Sequence, residues 1–115
     1  KAEKSKEEDE VNKIKEREAI NHTVDSLFEI QRLVKVGRLD EALVKIRSLQ
    51  DAEPNVAASY EMQGGIFYIQ NDYPRALDAY QKALRLNPEN VDSFNMKKYL
   101  ESLTNTSSNK KLGQL

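Results

Sequence analysis

His22 is the single histidine in this sequence. It is also the one side chain whose ordinary pKa lies near neutrality. Proton shuttling or imidazole–metal chemistry would have to pass through it. A hydrolytic triad needs a nucleophile, that histidine and an orienting carboxylate. A zinc site needs several ligands at set spacings. Neither set surrounds His22: cysteine is absent and no carboxylate cluster at ligand spacing accompanies it. Glu7, Glu8, Asp9 and Glu10 form an unbroken run, which is the pattern of solvated charge and not of a catalytic pair. Gly64-Gly65 falls inside a helical pattern, so it is no phosphate-cradling loop. Asn21-His22-Thr23 and Asn105-Thr106-Ser107 fit the glycosylation acceptor pattern. Such matches are common by chance, and the first falls on a helix. No catalytic residue, metal site or cofactor is expected.

The chain has 115 residues, with 18 basic and 19 acidic side chains and a net charge of −1. Nucleic-acid binders normally present a basic face, and this balance argues against one. It argues equally against strong attachment to anionic lipid. No apolar run approaches the roughly 18 residues of a membrane span, so no membrane insertion is expected of this chain. The absence of cysteine suits reducing and oxidising compartments alike. The sequence starts at Lys1 and not at Met. A removed leader or anchor would account for that and would leave the Lys/Glu-rich stretch as a stalk. The chain would then be exported or membrane-tethered. A cut sequence boundary accounts for it equally, with a cytoplasmic setting.

Lys1 to Glu10 holds a single apolar residue, Ala2, and Thr104 to Leu115 holds two, Leu112 and Leu115. The expected division is a charged flexible lead-in over 1–10, a helical domain over 11–103 and a flexible tail over 104–115. Val11, Ile14 and Ala19 leave two readings open: a solvated helix extension, or a short coiled-coil or dimer contact spanning fewer than three heptads.

From Ile20 the apolar residues Val24, Leu27, Phe28, Ile30, Leu33 and Val34 recur at three and four, which is helical spacing. Gly37-Arg38 reads as a turn. Leu39, Ala42, Leu43, Ile46 and Leu49 give a second helix, ended at Glu53-Pro54 because the residue before proline leaves the helical region. A third helix carries Tyr60, Gly64, Phe67 and Tyr68. Asn71-Asp72 turns the chain, and Pro74 suits the first turn of a fourth helix. That helix carries Ala76, Leu77, Tyr80, Ala83, Leu84 and Leu86 and ends at Asn87-Pro88. A fifth helix is expected over 91–103 as a cap on the stack.

The pattern repeats. Subtracting 34 from Ala76, Leu77 and Pro88 gives Ala42, Leu43 and Pro54, the same residue types. A fixed period of this size marks stacked helix–turn–helix units. Residues 57–90, with Tyr60, Gly64, Phe67, Ala76, Tyr80, Ala83 and Pro88 in one register, resemble a tetratricopeptide repeat. Gln63 stands where that family usually has Leu. Residues 23–56 resemble a degenerate copy, with Ser26 in place of the large aromatic and Ile30 in place of glycine. Looser packing is expected of that first pair. The fold expected is all-α: two stacked hairpins, a long N-terminal helix and a C-terminal capping helix.

In this family the first helix of each pair lines a concave groove. The resemblance therefore implies groove positions at Leu27, Phe28, Gln31 and Val34, then Glu61, Met62, Gly65, Tyr68 and Ile69, then Asn95, Met96 and Tyr99. Family members that grip a terminal carboxylate use Lys, Asn and Arg at such positions. Here Asn95 alone has a suitable group, and Glu61 has the wrong charge for an anion. What remains is an apolar, Met-containing groove suited to a leucine-bearing segment or an amphipathic helix. The function expected is non-enzymatic peptide or protein binding. The alternative is a self-associating homo-oligomer with the groove as its interface. Leu112 and Leu115 make the tail a candidate ligand for its own or a neighbour's groove, where tethering raises effective concentration.

Overall fold

Two residues in the left-handed region set the architecture. Gly37 has φ 79° and Asn71 has φ 62°, a conformation that glycine and asparagine tolerate best. They lie one repeat apart, since 71 − 37 = 34. Their hydrogen bonds match as well. Gly37 N donates to Val34 O at 3.0 Å and Arg38 N to Leu33 O at 2.8 Å. One repeat later, Asn71 N donates to Tyr68 O at 3.0 Å and Asp72 N to Phe67 O at 2.8 Å. Each turn thereby closes the last carbonyls of one helix and reverses the chain.

The computed structural model describes the backbone from Ala2 to Gly113 and the side chains from Lys6 to Thr104. It has five helices: α1 (Ala2–Lys35), α2 (Leu39–Ala52), α3 (Ala57–Ile69), α4 (Tyr73–Leu86) and α5 (Val91–Gly113). The fold is all-α, and no strand occurs among the described residues. Helices α1 and α2 form one hairpin and α3 and α4 the next. Helix α5 packs on α4. Pro54 and Pro88 follow the two second helices, whose final caps have nearly identical dihedrals (Glu53 φ −137°, Asn87 φ −139°). Asp72 caps α4, its carboxylate accepting from Arg75 N at 3.3 Å. Arg38 stands at the matching position before α2 and offers no side-chain cap. It pairs instead with Glu41 at 2.7 Å.

Helices α1 and α2 close over Ile30, Leu33, Ala42, Ile46 and Leu49, with Ile66 of α3 in the same cluster. A second cluster joins Ala76 and Tyr80 of α4 to Leu100 of α5. Helices α1 and α2 approach each other less closely than α3 and α4, the looser packing expected of the first pair. Gly64 lies under the Tyr80 ring: a Cβ added there would stand 2.8–3.0 Å from Cε2, Cδ2 and Cζ. Subtracting one repeat from Gly64 and Tyr80 gives Ile30 and Ile46, each with 0% exposure. The substitution of glycine by isoleucine is offset by the substitution of tyrosine by isoleucine across the same contact. Tyr60 is half-buried, and its hydroxyl donates to Pro54 O at 2.9 Å.

Both terminal helices extend beyond the packed body. Helix α1 is helical from Ala2, with no separate lead-in, because its Lys and Glu residues favour helix and no breaker interrupts them. Residues 6–22 are nevertheless exposed throughout, Val11 and Ile14 included. The packed body therefore begins near Thr23 and not at Val11, and α1 projects as an arm. The arm explains principal extents of 76 × 30 × 20 Å and a radius of gyration of 19.1 Å, where a compact chain of this length would have about 13 Å. At the other end α5 runs on to Gly113, past the expected stop at Leu103. Thr104 does not break it, since its hydroxyl returns to the helix at Leu100 O, 3.0 Å away.

Replacing Gly64 by alanine tests the contact with Tyr80. Helix propensity alone favours alanine by up to about 1 kcal/mol, but overpacking costs about 1–3 kcal/mol. Urea unfolding of Gly64→Ala should show a net loss of about 1–2 kcal/mol. Adding Tyr80→Leu should recover part of it. A stabilised single variant would contradict the packing described.

Candidate binding groove

Helices α1, α3 and α5 are neighbours along one side of the stack. Gln31, Val34 and Lys35 of α1 share a cleft of about 450 Å³ with Met62, Gly65, Ile66 and Ile69 of α3. On the far side of α3, Ser93 Oγ of α5 donates to Glu61 Oε1 at 3.2 Å. The rings of Tyr68 and Tyr99 meet edge to face at 6.1 Å. Tyr73 of α4 closes the same end, its ring 5.8 Å from that of Tyr68.

The sequence-derived positions divide into three groups. Gln31, Val34, Met62, Gly65 and Ile69 come together in the cleft. Leu27, Val34 and Met62 are half-buried and pack against the first core cluster, while Tyr68 and Met96 pack against the second. These residues serve stability as well as surface. Phe28, at 65% exposure, and Asn95 lie outside the cleft and face solvent. Glu61 is half-buried and engaged by Ser93. Leu115 lies outside the described residues, as does the side chain of Leu112.

Lys35 and Ile66 were missed. Ile66, 1% exposed, is the floor of the cleft. Lys35 was within reach of the sequence: subtracting 34 from Ile69 gives 35. It adds a cation to a cleft whose one other polar side chain is Gln31.

Electrostatics bear on two tyrosines. A hydrogen bond with Tyr99 holds the Tyr68 hydroxyl above its ordinary pKa, with a smaller contribution from burial. Burial raises that of Tyr80, and the nearby Glu61 charge adds to it. His22 hydrogen-bonds its Nδ1 with Ser26 Oγ at 3.2 Å. No carboxylate hydrogen-bonds His22 among the described residues, and no group of His, Asp and Glu there could hold a metal. No helix among them is long and apolar enough to cross a membrane.

Residues 64–95 match the family described as TPR repeat. The matched stretch runs from Gly64 in α3, through the turn at Asn71 and all of α4, to Asn95 in α5. The chain thus carries the tetratricopeptide repeat that the Gly64, Ala76, Tyr80 and Pro88 register resembled. No curated protein matched the sequence.

The raised pKa of Tyr80 gives a signed prediction. Folding favours the neutral phenol, so its contribution is intact below about pH 10 and falls as pH rises past it, because the unfolded chain ionises first. Urea midpoints measured at about pH 8 and 10.5 should fall less for Tyr80→Phe than for the parent. Equal losses would mean the hydroxyl is not held neutral.

Proposed function

We propose that this chain, with its tetratricopeptide hairpin, is a non-enzymatic module that binds a polypeptide along the inner side of α1, α3 and α5. The observation that carries this reading is the cleft between Gln31, Val34, Lys35, Met62, Gly65 and Ile69. It has an apolar floor, a flexible methionine and a glycine that lets a ligand approach the backbone. An amphipathic helix or an extended segment bearing leucines suits such a surface. The single cation, Lys35, would favour an acidic residue at one end of the ligand. No catalytic role is assigned to any residue, since the sole histidine engages only Ser26. No nucleic acid or cofactor enters this reading.

A second reading is favoured by the exposure of Phe28, Ile69 and Tyr99. Apolar surface of this kind also marks contacts between copies. The chain would then be a self-associating scaffold whose groove is the subunit interface. The tail bearing Leu112 and Leu115 is a candidate occupant in both readings.

Gly65 offers a clean test. A Cβ there would meet nothing nearer than the Tyr80 hydroxyl at 3.6 Å, so Gly65→Leu should fold and fill the cleft. A labelled amphipathic leucine-bearing peptide should bind the parent and lose at least about tenfold in affinity to Gly65→Leu, or roughly 1.4 kcal/mol. Unchanged binding would place the ligand elsewhere. Deleting residues 110–115 should strengthen peptide binding if the tail competes; no change would remove the tail from the account.

A further inference from the structure

Helix α1 bears an exposed apolar stripe that the cleft leaves unused. Ile20, Val24 and Phe28 are 61%, 40% and 65% exposed. Spaced by four, they fall in a sector of roughly 80° around the helix. The stripe starts on the projecting arm and continues into the groove wall at Leu27, Gln31 and Val34. Val11 lies about 140° round from Val24 and does not extend it. Residues 6–22 of the arm are all exposed. A charged helix of that length is marginal by itself in water.

Charge along the same helix is mixed, with one acidic block at Glu7, Glu8, Asp9 and Glu10 and with Arg32 and Lys35 in the last turn. Arg32 pairs with Glu29 at 2.7 Å, while Lys35 makes no ion pair among the described residues.

We propose that two copies of this chain pair antiparallel through α1, each arm lying along the groove wall of the other. With Ile20 of one chain opposite Val24 of its partner, the same register sets Lys13 opposite Gln31 and Asp9 opposite Lys35, all on the stripe's side of the helix. Asp9 of each chain then meets Lys35 of the other, over roughly 40 Å of shared helix. A parallel pair in register would lay Glu7–Glu10 against itself, so charge selects the antiparallel arrangement. The contact is isologous and closes at two chains, with an apolar centre and polar ends. The inference rests on reading the inner face of α1 as a binding surface, and it gives that surface its occupant.

The absence of cysteine makes the test direct. Asp9→Cys and Lys35→Cys chains, differently tagged, are mixed and oxidised. Positions 9 and 35 lie about 39 Å apart on one helix, and a disulfide needs Cα atoms within about 7 Å, so a 9–35 bond can form only between antiparallel chains. That mixed cross-link should dominate. Sedimentation should give a two-chain mass, lowered to one chain by Ile20→Glu, a substitution at an exposed site that leaves the core intact. Cross-links of 9 to 9 would overturn the proposal in favour of parallel pairing. A one-chain mass with no cross-link would also overturn it and leave the stripe to an outside helix. Peptide titration of the Ile20→Glu chain separates the two claims. If it binds while the two cysteine variants show no cross-link, the pairing fails and the groove reading stands. If it does not bind although the cysteine variants form the mixed cross-link, the external-ligand reading fails and the pairing stands.

Discussion

The close approach of two helices within each hairpin is the constraint on which the rest depends. At that crossing the two facing side chains must together fill a fixed space. The second hairpin meets the requirement with nothing on α3 and a large ring on α4: Gly64 beneath Tyr80. The first meets it with two side chains of middle size, Ile30 and Ile46, both fully buried. Cores tolerate exchange when total volume is kept, and here the exchange occurs between two repeats of one chain. The turn survives in both, although α1 and α2 approach less closely than α3 and α4. The turns at Gly37 and Asn71 then match in dihedral angle and hydrogen bonding.

Because both hairpins share that turn, their first helices stack side by side. The polar link from Ser93 to Glu61 and the Tyr68–Tyr99 contact add α5 to the row. The inner surface is thus a by-product of packing. Its floor is core, as Ile66 shows, while its rim is free to vary. Half-buried residues such as Met62 and Val34 do both jobs. Two hairpins are fewer than such arrays usually need. Helix α5 supplies part of the remainder by placing Leu100 and Ser93 in full burial. The arm of α1 adds no buried residue over 6–22.

Much of this was legible in the sequence. Turn residues, prolines and three-and-four spacing located the helices of the packed body, and the period identified the hairpins. What the sequence concealed was compensation. Ile30 and Ser26, read singly, look like losses from the repeat. Only the structure sets Ile30 against Ile46. Low apolar content at the termini left their backbone conformation open in the sequence. Lys/Glu-rich helix propensity acts without an apolar face, so α1 is helical where it is least packed. At the groove, chain positions could be assigned by offset, but burial could not. Phe28 and Leu27 are adjacent in sequence, and the first faces solvent while the second packs on the core. Lys35 needed only the offset already applied to its neighbours.

Amide-resolved NMR during titration with an amphipathic leucine-bearing peptide would test the central claim most directly. The account predicts that shifts concentrate at Leu27–Lys35, Glu61–Ile69 and Asn95–Tyr99, with α2 and the outer face of α4 unmoved. Shifts confined to α2 and α4, or an absence of shifts across the whole chain, would contradict it.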